Sequence, residues 1–264
     1  MNQPDYEIKP FSKSRQIVAE SLRVSEHRHV IQGLLELDVT AARQFIRQYE
    51  ARTGDQLSFT AFIITCLGKA VSEDKTVQAY RLGRYRMIVF DDVDVYATVE
   101  RTTPEGEKVV RPYVFRAADK KTYQEINREM QEVQSRPADK VMSRQMQLAA
   151  DIGLALPGFL RWFFTRAIFG DPRRVRQLGG TVGVTAVGMF GEGSGWGIPV
   201  ASPLTLLLTV GGIAEKPGIV DGHIEPREYL NLTISFDHDI VDGAPAARFA
   251  THLKQLIEGG YGLS

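Results

Sequence analysis

Helical and extended apolar patterns follow one another along this chain without settling into a repeating β-α-β unit, and that irregular order constrains the fold more than any other feature. Ile17, Val18 and Leu22 have helical spacing after Ser12 or Ser14, either of which can cap the start. Val30 to Val39 reads as a strand, and Thr40 opens a helix to about Arg52 that stops at Gly54. Ser58 caps a second helix, on whose apolar face Phe62, Ile63, Cys66, Leu67 and Ala70 recur. Arg86 to Phe90, Val93 to Val99 and Lys108 to Phe115 are strand candidates for a mixed or antiparallel sheet, with Thr103-Pro104-Glu105-Gly106 turning between the last two. Asp119 to Val133 predicts a charged helix, and Ser135 to about Leu178 an irregular helical region broken at Asp171-Pro172. Strand Thr181 to Val187 comes next. Leu204 to Gly211, Ile219 to Ile224 and Tyr229 to Phe236 then flank a turn at Pro217-Gly218, and a last helix runs from Gly243 to about Glu258. The expected fold is an α+β sandwich, a mixed sheet with packed helices, and not a doubly wound sheet.

At 264 residues the chain can bury a sizeable core without disulfide or metal staples. No internal repeat, low-complexity segment or linker divides it, so residues 1–264 are expected to form a single domain with 1–11 as a short polar arm. Basic and acidic side chains balance at 32 each, which leaves no long-range field to draw nucleic acid or an acidic membrane. The lone Cys66 excludes an intrachain disulfide and a Cys/His zinc cluster and suits the reducing cytoplasm. The opening Met-Asn-Gln-Pro-Asp-Tyr-Glu has no signal-peptide pattern, and no apolar run is long enough to span a membrane. Leu154 to Phe169 comes closest, but Pro157, Arg161 and Arg166 interrupt it, so it reads as an amphipathic helix burying one face.

Gly179 to Gly197 is the most glycine-dense stretch and invites a nucleotide-binding assignment. Its spacing fits neither G-x-G-x-x-G nor the P-loop pattern, and no clear helix follows the strand to hold phosphate at its N-terminus. Tight turns and close backbone approach explain most of these glycines. Cys66, on an apolar helix face, reads as a small core residue rather than a nucleophile. His27, His29, His223 and His252 have no sequence neighbours that suggest a shared task.

The informative stretch is Ser235-Phe236-Asp237-His238-Asp239-Ile240-Val241-Asp242-Gly243, between a strand and a helix. Asp242 could simply cap the helix, with Gly243 easing the turn. A metal site from Asp237, His238, Asp239 and Asp242 is disfavoured: if the strand reaches Asp239, its period of two points both flanking carboxylates away from the histidine. The functional reading makes His238 a general base on a loop held by Asp242, because an imidazole titrates near neutral pH and can take a proton from a thiol or hydroxyl.

In the same order along the chain stand Ser14-Arg15-Gln16-Ile17-Val18-Ala19, Glu36-Leu37-Asp38-Val39-Thr40, Leu57-Ser58-Phe59-Thr60-Ala61-Phe62, Asp92 to Val99, Ala117-Ala118-Asp119-Lys120-Lys121, and Gly180-Thr181-Val182-Gly183-Val184-Thr185 through Gly188-Met189-Phe190-Gly191. With the histidine motif, this series resembles the catalytic domain of the acyltransferase subunits of 2-oxo-acid dehydrogenase complexes, a fold shared with chloramphenicol acetyltransferase. The likeness runs from about Lys9 to Gly260. It implies transfer of an acyl group between coenzyme A and the thiol of dihydrolipoamide, with no metal. By the same resemblance His238 would deprotonate the attacking thiol and Thr185 would donate to the tetrahedral oxyanion, a contact worth on the order of 3 kcal/mol when aimed at the developing charge. Asp242 would order the histidine loop through an ion pair with Arg15, Gly243 supporting the turn. A homotrimer is implied, its active site lying between subunits. The separation of Thr185 and His238 in sequence leaves open whether they meet within a chain or between chains.

The chain departs from the family pattern in several places. Asp239 stands where the family has arginine, Ala186 replaces the asparagine after the hydroxyl residue, the Ser135 to Leu178 region is longer and more apolar, and Glu192 to Gly197 is a loop variant. No lipoyl domain, subunit-binding domain or Ala/Pro-rich linker precedes the core, so a lipoyl group would come from a separate carrier protein or from dehydrogenase components. O- or N-acyl transfer to a small molecule, and a non-catalytic assembly protein with the same fold, stand as alternatives.

Overall fold

The computed structural model describes residues 6–23, 25–102, 106, 108–136, 156–157, 160, 166, 170–188 and 193–263. Helix α1 (Lys13–Arg23) starts where the sequence places it, the Ser12 hydroxyl accepting from the Arg15 N–H at 3.4 Å. Strand β1 (Val30–Asp38) leads into α2 (Thr40–Thr53), closed by Gly54 at φ 77°, a left-handed cap that glycine takes without strain. The Ser58 side chain accepts from the Ala61 N–H and so caps α3 (Phe59–Glu73). This helix carries more than one apolar face: Ala61 through Leu67 are buried without a break, which makes it the central helix of the core.

Beyond α3, strands β2 (Tyr80–Leu82) and β3 (Arg86–Ile88) pair only with each other. The Arg86 to Phe90 segment therefore lies outside the main sheet, contrary to the sequence expectation. A turn with Gly83 at φ 69° folds it back on the unanticipated strand at Tyr80. Strands β4 (Val95–Thr102) and β5 (Lys108–Phe115) form the expected hairpin, though Thr103 to Glu105 of its turn fall outside the described residues. Helix α4 (Tyr123–Ser135) begins later than Asp119 because Thr122 and Glu125 close a capping box. Most of Ser135 to Leu178, including the amphipathic helix expected at Leu154 to Phe169, also falls outside the described residues. Asp171-Pro172 starts a helix rather than only breaking one: Asp171 caps α5 (Pro172–Gly179) and the proline occupies its first turn.

Strands β6 (Val182–Ala186), β7 (Leu206–Val220) and β8 (His223–Asp237) and helix α6 (Gly243–Glu258) complete the fold. The main sheet runs β1-β8-β7-β6-β4-β5, parallel at β7/β6 and β6/β4 and antiparallel elsewhere. It is the α+β arrangement expected, a mixed sheet with helices packed on it. The expected turn at Pro217-Gly218 is not one. Pro217 faces Pro226 inside the β7/β8 ladder, and the chain reverses at Asp221-Gly222, with φ of 48° and 83°. Two successive positive φ values make the two-residue turn for which Asp-Gly is a strong signal, and two prolines can face each other where the ladder needs no N–H from either.

One face of the sheet holds the core: Val182, Val184, Leu206, Leu208, Leu232 and Ile234 are buried among the apolar residues of α3, α4 and α6. Strand register puts Thr185, Thr209, Thr233 and Leu34 side by side on the other face. The segment from Gly193 to Leu204 crosses that outer face. Gly212 N–H donates to the Gly195 carbonyl at 2.9 Å, and the Asn231 amide reaches Ser194 at 2.8 Å. A Cβ on Gly197 would meet Val187 at 2.6 Å and Thr209 at 2.8 Å, so close approach is the role of this glycine.

Candidate active site

Strand β8 ends at Asp237, two residues short of the Asp239 end considered from the sequence, and His238 falls in the turn that follows. The turn hangs from Asp237. Its carbonyl accepts from the N–H groups of Ile240 and Val241, both at 3.0 Å, and its carboxylate accepts from the Asp239 N–H at 3.1 Å. Both acidic neighbours of the histidine are engaged on the side of β1. Arg28 pairs with Asp237 at 2.7 Å and His29 meets Asp239 at 2.9 Å. Among the described residues no three His, Cys, Asp or Glu side chains gather as they would around a metal ion. The His238 side chain is 40% exposed, with Nδ1 3.8 Å from the Asp242 carboxylate. At that separation the two share an electrostatic contact and not a hydrogen bond.

Asp242 precedes α6 at the N-cap position, yet its side chain makes no capping hydrogen bond and is 87% exposed. The ion pair expected between Asp242 and Arg15 is not formed: Arg15 is exposed in the first turn of α1, and Asp242 faces His238 instead. Gly243 opens α6 with open space where a Cβ would stand, so this position does not demand glycine on steric grounds.

Thr185 is half-buried near the end of β6, on the outer face of the sheet. It pairs with Thr209, and Thr209 with Thr233, so it stands two strands across from β8 and five residues short of His238 along it. At about 3.3 Å per residue and about 4.8 Å per strand, Thr185 and His238 are roughly 19 Å apart within one chain. The fold therefore does not bring them together in a single subunit. Beside Thr185 the outer face carries exposed apolar side chains, Val187 and Leu34 on the sheet and Trp196, Ile198 and Val200 on the crossing segment.

Behind the histidine turn lies a cavity of about 220 Å³ with Arg28, Tyr80, Arg81, Thr205, Asp237 and Asp239 in its wall. Burial pushes the Tyr80 phenol up, so it stays protonated and donates to the Thr181 carbonyl at 2.8 Å. Burial likewise pushes the Cys66 thiol up, in keeping with its reading as a core residue. Arg28 and His29 escaped the sequence reading because their partners lie more than two hundred positions away. The available signal was the pair of carboxylates flanking His238, since an acid held at the end of a buried strand calls for a cation beside it.

Comparison with known proteins follows the same order of segments. Residues 3–149 and 170–262 match the family described as 2-oxoacid dehydrogenases acyltransferase (catalytic domain). The chain is 26% identical over 257 residues to the dihydrolipoyllysine-residue acetyltransferase component of the pyruvate dehydrogenase complex of Bacillus subtilis, a match covering 92% of this chain and 48% of that protein. It is 27% identical over 230 residues to the lipoamide acyltransferase component of the branched-chain alpha-keto acid dehydrogenase complex of the same organism, covering 85% of this chain and 46% of that one. The chain thus spans about half the length of these curated relatives. Among solved structures, that of the Azotobacter vinelandii dihydrolipoamide acetyltransferase superposes with a TM-score of 0.71 at 23% identity, over 98% of this chain and 94% of that one. A serine, a histidine and an asparagine four residues after the histidine were investigated there for their part in catalysis. With the match covering most of its length, the chain belongs to the family of 2-oxoacid dehydrogenase acyltransferase catalytic domains.

Proposed function

We infer that this chain is an acyltransferase catalytic unit that moves an acyl group between coenzyme A and a dihydrolipoyl-type thiol. The observation that carries this reading is the state of His238: half-exposed in a turn, with both neighbouring carboxylates turned to partners on the β1 side and its own ring left open to a reactant. In the reaction the imidazole takes the proton of the incoming thiol, and the thiolate adds to the thioester carbonyl. Thr185 donates its hydroxyl proton in a hydrogen bond to the oxyanion. When the tetrahedral intermediate collapses, the carbon–sulfur bond to the departing thiolate breaks and that sulfur recovers the proton from His238. Asp242 lies 3.8 Å from the ring and would hold it in orientation, four residues after the histidine as the asparagine of the Azotobacter enzyme follows its own. Gly243 opens α6 directly after Asp242.

The separation of roughly 19 Å between Thr185 and His238 supports a site completed by a second copy of the chain, since a thioester carbonyl must touch both groups at once. The exposed apolar side chains beside Thr185 supply a surface that such a copy would cover. The homotrimer and the dehydrogenase partners that the family resemblance implies fit such a shared site. No helix among the described residues is long and apolar enough to cross a membrane, and the buried free thiol of Cys66 fits a reducing cytoplasm.

Following free thiol in mixtures of acetyl-CoA and dihydrolipoamide tests the assignment. His238→Ala should lower turnover by about a hundredfold or more. Turnover in His238→Ala equal to wild type would remove the histidine from the chemistry. Activity confined to amine or hydroxyl acceptors would redirect the assignment to a small-molecule acyltransferase. Absence of both acyl-CoA binding and turnover would leave a scaffold, the reading that Asp239 and Ala186 favour.

A further inference from the structure

Three consecutive positions before and within β1 grip three consecutive positions at the end of β8. Arg28 Nη1 donates to Asp237 Oδ2 at 2.7 Å, the His238 N–H donates to the His29 carbonyl at 2.6 Å, and His29 Nδ1 lies 2.9 Å from Asp239 Oδ1. Val30 then pairs with Asp237 as the first rung of the β1/β8 ladder. We propose that Arg28 is a positioning residue for His238, acting through Asp237, and that His29 assists it through Asp239. The proposal rests on the reading of His238 as general base.

Burial ranks the two contacts. The Arg28 and Asp237 side chains are 24% and 9% exposed, so their pair lies largely out of water, where a guanidinium–carboxylate contact is strong and its loss leaves a carboxylate short of a partner. His29 and Asp239 are 79% and 38% exposed, and water screens that contact. Arg28 therefore dominates. Its partner is the residue from which the whole turn hangs: one Asp237 carboxylate oxygen receives Arg28, the other receives the Asp239 N–H, and the Asp237 carbonyl receives Ile240 and Val241. With Arg28 removed, the Asp237 carboxylate turns toward water, which loosens its hold on the Asp239 N–H and with it the peptide that carries His238. An imidazole displaced by a fraction of an ångström still binds substrates but meets the thiol proton at the wrong place, so the loss falls on turnover and not on binding.

The test uses the assembled protein with acetyl-CoA and dihydrolipoamide as substrates, and compares Arg28→Gln, Arg28→Lys, His29→Ala and His238→Ala with wild type. Arg28→Gln is expected to lower kcat by about tenfold to a hundredfold, with both KM values within about twofold. Arg28→Lys keeps the charge without the planar fork and should recover part of that loss. His29→Ala should lower kcat by no more than about fivefold. Amide hydrogen exchange supplies a readout that needs no substrate: the His238 and Asp239 amides should exchange faster in both Arg28 variants, while those of Leu232 and Ile234 keep wild-type protection. Should Arg28→Gln fail to fold, exchange and kcat of Arg28→Lys decide. Wild-type kcat and wild-type exchange in the turn of a folded Arg28 variant would overturn the proposal. If His238→Ala abolishes turnover while the Arg28 variants keep it, only the positioning role fails; if His238→Ala turns over normally, the general-base reading itself is lost.

Discussion

Two inactive variants of this protein should rescue each other when mixed. Thr185→Ala removes the proposed oxyanion donor and should lower turnover by about a hundredfold or more, and His238→Ala removes the base with a loss of similar order or larger. Because the two residues are roughly 19 Å apart along the sheet of one chain, each site would draw His238 from one subunit and Thr185 from its neighbour. In an equal, random mixture the subunit supplying histidine carries Thr185→Ala with a chance of about one half, and the subunit supplying threonine carries His238→Ala with the same chance. About one site in four is then wild type, so co-refolded or co-expressed mixtures should recover about 25% of wild-type turnover from parents near 1%. The assay is the thiol readout described above; purifying differently tagged chains through both tags removes the trimers of a single variant and should raise the recovery to about one third. Turnover no greater than the mean of the two parents, in particles shown to contain both chains, would refute the shared site. Substantial activity in Thr185→Ala alone would remove the threonine from the mechanism.

The remaining expectations concern stability and reactivity. Asp94, 2% exposed at its side chain, accepts from Arg176 Nε at 2.8 Å, Arg116 at 3.0 Å and the Ala117 N–H at 3.0 Å, so Asp94→Asn should cost about 2 to 3 kcal/mol by urea unfolding at neutral pH. Burial works to raise the Asp94 carboxyl, but the contacts with Arg176, Ala117 and Arg116 outweigh it and hold it below the usual carboxylate range. The difference between wild type and Asp94→Asn should therefore be constant above about pH 5 and shrink as pH falls below about 4, and a difference that grows with acid would contradict that sign. Ser58→Ala should destabilise by about 1 kcal/mol through loss of the α3 cap, measured by thermal unfolding. Cys66 should resist iodoacetamide in the folded protein and react in denaturant; labelling at the unfolded rate under native conditions would contradict its burial.

What could be read from the sequence were features whose causes are local. Ser58 and Gly54 mark helix ends because a cap or a left-handed residue acts on its own neighbours, and the histidine motif was visible because its residues are contiguous. The misread turn at Pro217-Gly218 shows the limit. A proline and a glycine punctuate most chains, but here a ladder with Pro226 opposite Pro217 absorbs both, and the stronger signal at Asp221-Gly222 lay four residues on. The site departs furthest from local logic. Asp237 and Asp239 flank His238 with no visible partner in the sequence, and the segment before β1 supplies Arg28 and His29 to them, while strand register sets Thr185 and His238 two strands and five residues apart. Register is a property of paired strands, so the separation behind the proposed shared site becomes visible only once β6, β7 and β8 are aligned.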